Sequence, residues 1–193
     1  MNHKAGYVNI IGHPNVGKST LLNALLGEKL VIVNPKAQTT RHRILGILNG
    51  DDRQLILSDT PGILDPQYPL HKSMMKAVDE ALQDADILLV LVELGENPER
   101  AEAVVKRAER FGGPLFVLVN KMDLGSEAEL AAALETWQGV FPKAKVVPIS
   151  ALHRFHVDAL RERLIELLPE HPPYFPKDDL SDRTTEQCRY GRY

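Results

Sequence analysis

The residues Gly12-His13-Pro14-Asn15-Val16-Gly17-Lys18-Ser19 fit the pattern G-x-x-x-x-G-K-[ST]. A loop of this kind wraps backbone N–H groups around a polyphosphate. Gly12 and Gly17 let the backbone come close to the anion. Lys18 is expected to reach the β- and γ-phosphates, and Ser19 to hold magnesium. Asn15, Val16 and Thr20 fall in the same stretch and are counted with the nucleotide-binding residues. A helix beginning at Lys18 aims its positive dipole end at the same charge. The plainer reading of these residues is a glycine-rich turn between strand and helix.

A phosphate loop alone does not separate kinase, ATPase and GTPase, and the later motifs decide. Asp59-Thr60-Pro61-Gly62 follows a short apolar run. A carboxylate at the end of such a strand can hold the magnesium shell. Gly62 offers an N–H where a side chain would crowd a γ-phosphate. Pro-Gly is also ordinary turn chemistry, and its place after the phosphate loop is what lends weight. Asn120-Lys121-Met122-Asp123 ends another apolar run. A carboxylate accepts two hydrogen bonds side by side, which suits the N1–H and N2 amine of guanine, while adenine presents no such pair. A site built on those bonds rejects a base that lacks them. Asp123 is therefore the base-selecting residue, Lys121 lies over the base plane, and Asn120 ties the loops together. Ser150-Ala151-Leu152 comes last, with a backbone N–H for guanine O6. By itself it is common loop sequence, and its order after the other three gives it meaning.

The polar stretch from Asn34 to Arg43 carries Thr39 and Thr40. A hydroxyl there completes a magnesium shell only while a γ-phosphate is present, which makes the segment a nucleotide-gated switch. Thr40 is preferred as the ligand, with Thr39 the alternative. The magnesium set is thus Ser19, Thr40 and, through water, Asp59. Arg41 and Arg43 are also consistent with a plain solvated loop, and His13 and His42 read as exposed loop histidines rather than bases.

These loops need a scaffold, and the hydrophobic pattern supplies it. Residues 7–11, 87–92, 115–119 and 145–149 read as buried strands. Residues 44–48 and 54–58 flank Asn49-Gly50-Asp51-Asp52, a hairpin signal that makes them antiparallel. Helices are expected over 18–26, 69–82, 99–111, 126 to about 137, and 157–168. Leu70, Met74, Ala77, Val78 and Leu82 form the apolar face of the second, and Ser126 with Glu129 a capping box on the fourth. The expected fold class is α/β: a three-layer domain with a six-stranded mixed sheet and one antiparallel edge strand. Its ligand sits at the carboxyl ends of the strands. Residues 1–168 form the domain. The proline-rich stretch from Pro169 begins an extended linker and tail over 169–193.

The chain has 193 residues, 44% of them hydrophobic, enough for one cored domain. A net charge of −3 gives no global drive toward nucleic acid. Cys188 is the only cysteine, so neither a disulfide framework nor a cysteine zinc site is expected. No apolar run reaches transmembrane length, and the N-terminus lacks a signal-peptide core. A monomer in the cytoplasm is the expectation.

GHPNVGKSTLLNALLG, KAQTTRHRILGI, DTPGI, NKMD and SAL occur in the order of the Era-type GTPases, which the chain resembles from Lys4 to about Arg183. KAQTTRHRILGI and LLPEHPPYFPKDDLSDR are the specific parts; the rest is shared by translation-factor-related GTPases. The resemblance implies a Ras-like P-loop GTPase fold, GTP and GDP as ligands with Mg2+, and hydrolysis to GDP and phosphate. It also implies a role in assembly of the small ribosomal subunit, whose RNA and precursor particle are the implied partners. Peripheral membrane association is an open partner surface. Family members continue into a KH-type RNA-binding domain; TTEQCRYGRY departs from that pattern, so the chain reads as the GTP-binding part. Its Arg-Tyr end reads as a non-native tail, or else as a stacking segment for single-stranded RNA.

Lys18, Asn15, Thr40 and Gly62 are the residues expected to act at the reacting phosphate. Ras-type enzymes place a water-orienting glutamine directly after Asp-x-x-Gly, where this chain has Ile63, so slow intrinsic turnover is expected. In related GTPases an asparagine at the position of Asn15 accompanies a bound potassium ion, which makes K+ stimulation the companion expectation; alternatively Asn15 only stabilises the turn. Two other functions compete: a GTP-binding module with negligible activity alone, and a small-molecule kinase, against which the base motif argues.

Overall fold

The apolar runs become strands of one sheet. A computed structural model describes residues 3–27, 44–63 and 69–175. In chain order the elements are β1 (Lys4–Ile11), α1 (Lys18–Leu26), β2 (Ile44–Asn49), β3 (Arg53–Asp59), α2 (Pro69–Gln83), β4 (Ile87–Glu93), α3 (Glu102–Ala108), β5 (Leu115–Asn120), α4 (Glu127–Val140), β6 (Lys145–Pro148) and α5 (Val157–Leu167). A short 3-10 turn, Met122–Leu124, precedes α4. The strand order is β2-β3-β1-β4-β5-β6. Only the β2–β3 pair is antiparallel. The expected six-stranded mixed sheet with one antiparallel edge strand is what forms.

Alternate residues of the central strands feed two cores, which is why their sequences read as unbroken apolar runs. Leu89 and Leu91 of β4 pack with Leu21, Leu25, Leu160 and Leu164 of α1 and α5. Leu88, Val90 and Val92 of the same strand pack with Met74, Val78, Val104 and Trp137 of α2, α3 and α4. Each such side chain removed from water contributes about 1.5–3 kcal/mol. The result is a helix–sheet–helix sandwich whose loops are free to diverge at the strand ends.

Several boundaries differ from the pattern-based expectation. Strand β1 starts at Lys4, three residues ahead of the apolar run, because its backbone continues the parallel register with β3 as far as Lys4 opposite Arg53. Helix α3 starts at Glu102 rather than Glu99. Asn97 Oδ1 accepts the Glu99 N–H at 2.8 Å and its carbonyl accepts from Arg100 and Ala101, so a turn occupies those positions. Helix α2 forms as expected, but Leu70 is exposed while Met75 and Ala81 join Met74 and Val78 on its buried face. In α4 both halves of the Ser126–Glu129 capping box are present, and the helix continues past Trp137 to Val140.

Residues 169–175, expected to open the linker, run back along the end of the sheet away from the motif loops. Glu170 forms an antiparallel bridge with Lys4, and Ala5 N–H donates to Pro169 O at 3.1 Å. The anchor is Gln54, fully buried at the start of β3. Its Oε1 accepts from Tyr174 N–H (2.8 Å) and Phe175 N–H (3.0 Å), and its Nε2 donates to Phe175 O (2.9 Å) and Asn49 Oδ1 (2.8 Å). The Tyr174 ring meets Tyr7 edge-on, with centroids 5.0 Å apart. A buried amide with so many partners has no apolar substitute, since each stranded backbone group costs about 1–3 kcal/mol. Gln54→Leu is therefore expected to lower the unfolding free energy in urea by about 2 kcal/mol and to speed amide exchange at Tyr174 and Phe175. Unchanged exchange at those two amides would show that the strap is held by its rings instead.

Candidate functional site

Parallel strands deliver their carboxyl ends to one edge of the sheet, and each of the four motifs begins there. Gly12 follows β1, Asp59 closes β3, Asn120 closes β5, and Ser150 lies just beyond β6.

The phosphate loop takes the backbone that its glycines permit. Gly12 has φ 157°, Asn15 64° and Gly17 102°. A Cβ on Gly12 would lie 2.3 Å from Leu91 O, and one on Gly17 would lie 2.5 Å from Asn120 Nδ2. Side chains at either position are excluded by backbone conformation and by space alike. The Asp59–Gly62 loop lies against it: Ile63 N–H donates to Gly12 O at 2.9 Å, Thr60 Oγ1 donates to Ile10 O at 2.7 Å, and a Cβ on Gly62 would stand 2.7 Å from Pro14 N.

Lys18 is buried, 7% exposed. Its Nζ donates to His13 O at 2.6 Å and to Gly12 O at 3.3 Å. Burial pushes its pKa down to about 8, against the upward pull of the Asp59 and Glu96 carboxylates. An ammonium buried in this way is poised for an anion of higher charge. Ser19 Oγ donates to Asp59 Oδ2 at 2.5 Å, with Asp59 almost fully buried. A hydroxyl and a carboxylate are hard oxygen donors of the type magnesium takes, and few protein ligands suffice where phosphate oxygens supply others. The donor set therefore fits Mg2+. Among the described residues no group of three or more His, Cys, Asp or Glu side chains could hold a metal by itself.

At the other end, Asn120 Nδ2 donates to Val16 O at 2.8 Å and its Oδ1 accepts from Ala151 N–H at 2.9 Å. One buried side chain thus joins the phosphate loop, the base loop and the last loop. The Ala151 amide serves Asn120 in this arrangement. Asn15, Gly17, Thr20, Asn120, Lys121, Asp123, Ser150, Ala151 and Leu152, with Leu124, line a single cleft of about 320 Å3. Lys121 adopts φ 62° and pairs its ammonium with Glu93. The Asp123 carboxyl is held below the usual range, chiefly by a hydrogen bond with the Ser150 side chain, aided by the nearby His153 ring; His153 Nε2 stands 3.6 Å from Asp123 Oδ2.

The structure brings together every expected residue that it describes. Thr39 and Thr40, with the rest of the Asn34–Arg43 switch stretch, lie outside the described residues, as does Cys188. Ile63 is wholly buried, in the core cluster that also holds Met74 and Val78. Pattern reading overlooks Glu96, Glu93 and His153. His13, read as a plain exposed histidine, pairs through Nδ1 with Glu96 Oε1 at 2.5 Å. No spacing rule marks a carboxylate that arrives from a different loop.

The profile of the 50S ribosome-binding GTPase family matches residues 7–121. Among curated proteins, GTPase Era of Syntrophus aciditrophicus is 42% identical over 183 residues, covering 94% of this chain and 60% of that protein. GTPase Era of Clostridium botulinum is 40% identical over 181 residues, covering 93% of this chain and 61% of its own. The chain thus spans about three fifths of the length of these relatives. Among solved structures, Era in complex with MgGDPNP and nucleotides 1506–1542 of 16S ribosomal RNA superposes with a TM-score of 0.78 at 38% identity, over 91% of this chain and 61% of that one. An Aquifex aeolicus Era variant bound to GDP and aluminium fluoride gives the same TM-score at 39% identity, over 91% of this chain and 60% of that one.

Proposed function

The chain belongs to the family of 50S ribosome-binding GTPases and within it resembles the Era GTPases; from that premise we propose that it binds GTP and GDP with magnesium and hydrolyses GTP to GDP and phosphate. The observation that carries the reading is the pairing of two ends of one site. A buried Lys18 and the Ser19–Asp59 pair stand at one end, and the Asp123 carboxylate, suited to guanine, at the other.

Each residue has a role that follows from its position. The amides of the loop from Gly12 to Ser19 and the Lys18 ammonium bind the β- and γ-phosphate oxygens and stabilise the charge that builds there in the transition state. Ser19 and Asp59, joined by Thr40 when the γ-phosphate is present, would hold magnesium, which would supply positive charge against the developing phosphate charge. Gly62 presents its N–H toward the γ-phosphate. Asp123 fixes the base, Lys121 covers it, and Asn120 keeps the loops in register.

With Ile63 buried in the core, water is not oriented by the residue after Gly62, and turnover without a partner is slow, on the order of 10−3 per second. Asn15 is exposed on the phosphate loop, and its side-chain oxygen is a hard donor for a potassium ion beside the phosphates. The same reading carries a cytoplasmic monomer. It also makes small-subunit ribosomal RNA a partner of the whole protein, since the matching Era structure holds a 16S RNA fragment.

Phosphate release from GTP, followed in potassium and in sodium at equal ionic strength, tests the reaction. Turnover is expected to be about tenfold faster in potassium, with the gain lost in Asn15→Ala. No phosphate release in either salt, with GTP bound, would overturn the hydrolytic reading and leave a nucleotide-binding module. Equal rates in the two salts would remove the role given to Asn15.

A further inference from the structure

We infer that Glu96 is a positioning residue that couples the phosphate half of the site to the base half. The inference rests on the guanine-nucleotide reading above.

Glu96 lies in the turn after β4, next to Gly95, whose φ is 88°. Its side chain is 9% exposed, and both oxygens are used. Oε1 accepts from His13 Nδ1 at 2.5 Å, and His13 is the second residue of the phosphate loop. Oε2 accepts from Glu93 N–H at 3.0 Å. Glu93 in turn pairs its own carboxylate with Lys121 Nζ, and the neighbouring Leu94 N–H donates to Asn120 O at 2.9 Å. The turn closes on itself through Glu96 N–H to Glu93 O at 3.0 Å. One carboxylate therefore touches the phosphate loop directly and holds the turn that bonds the base loop through Lys121 and Asn120.

Asn120 already bridges the two halves from within, through Val16 O. The Glu96 bridge holds the same loop at His13, three residues earlier. Two anchors on one loop, at His13 and Val16, leave it little freedom to reorganise, which is the condition for phosphate and base to be recognised as one unit. Neither Glu96 nor His13 is among the residues lining the base cleft. Any effect of Glu96 on base preference must then travel through Glu93, Lys121 and Asn120. If Glu96 only closed its own turn, its loss would weaken every nucleotide alike.

The test compares GDP with IDP, which lacks the N2 amine and so forfeits one of the two bonds to Asp123. Dissociation constants are measured for the full chain and for Glu96→Ala, Glu96→Gln and His13→Ala. In the unaltered protein GDP is expected to bind about tenfold or more tightly than IDP. Glu96→Ala is expected to weaken GDP about tenfold and to narrow the GDP-over-IDP preference at least about threefold. His13→Ala, which breaks the same bridge from its more exposed side, should reproduce both losses and decides the matter if Glu96→Ala does not fold. Glu96→Gln keeps an acceptor for Glu93 N–H and a donor for the other tautomer of His13, and should restore both values to within about twofold. An unchanged GDP-over-IDP preference in Glu96→Ala or His13→Ala would overturn the inference even if GDP bound more weakly. Failure of the unaltered protein to bind GDP would instead overturn the nucleotide reading, and this inference with it.

Discussion

Replacing Asp123 by Asn is expected to exchange the base that the site accepts. The Asp123 carboxyl, held below its ordinary range by the Ser150 hydrogen bond with His153 beside it, is an acceptor at both oxygens at neutral pH. Both are needed for the N1–H and N2 amine of guanine. Asparagine keeps one acceptor and sets an amine against the N2 amine, donor against donor. Affinity for GDP should fall roughly 1000-fold or more, as it does when a polar site is left with an unmatched buried group. Xanthine carries an oxygen at C2, which the new amine can reach, so XDP should become the preferred ligand. Competition of GDP and XDP for the variant reads both changes at once. If GDP binding survived, or XDP gained nothing, Asp123 would not be the base reader.

Lys18→Met should separate function from stability. On the proposed reading Lys18 provides charge-assisted bonds to two phosphates, each worth about 1.5–3 kcal/mol, so nucleotide affinity should drop at least about 100-fold. The fold itself should lose nothing. With a folded pKa near 8 against about 10.5 for a free lysine, the charged form is disfavoured by the buried site, and at neutral pH that penalty is about 3 kcal/mol. The sign follows from the depressed value: below pH 8 lysine is charged both folded and unfolded, and only the folded state bears the cost. Methionine fills similar volume without charge, so without nucleotide the variant should melt at or above the Tm of the unaltered protein. A lower Tm alongside lost binding would mean that Lys18 holds the loop together through Gly12 O and His13 O, and that the loss of binding is indirect.

The motif loops were legible because their chemistry is written in local backbone demands. Gly17 takes a φ of 102°, which glycine alone adopts without strain, and Asp123 lies three residues beyond the end of a strand that its apolar run announces. The sheet and its hairpin edge were legible for the same reason: Asn49-Gly50 and the period of the flanking runs act over a few residues. What escaped depends on partners distant in the chain. Gln54 reads as one polar residue on a strand, and only the folded chain brings Tyr174 and Phe175 to it. Lys4 joins β1 because Arg53 is opposite it, not because of its own type. Leu70 matches the helical period of α2 yet falls in its first turn and is exposed, while Met75 is buried. His13 looked like a solvated loop residue because the carboxylate that claims it, Glu96, comes from a turn beyond β4. Ile63 stands where Ras-type enzymes carry glutamine, yet it is wholly buried in the core cluster that holds Met74, a placement set by residues far away in the chain.

The central claim is that one site recognises guanine and polyphosphate together, and the most direct measurement titrates the purified chain, with magnesium, against GDP and ADP. The account predicts tight GDP binding, with ADP weaker by roughly 1000-fold or more, because adenine offers Asp123 no pair of donors. Comparable affinities for GDP and ADP would contradict it, leaving a phosphate loop that grips any nucleotide and a carboxylate at Asp123 that reads nothing.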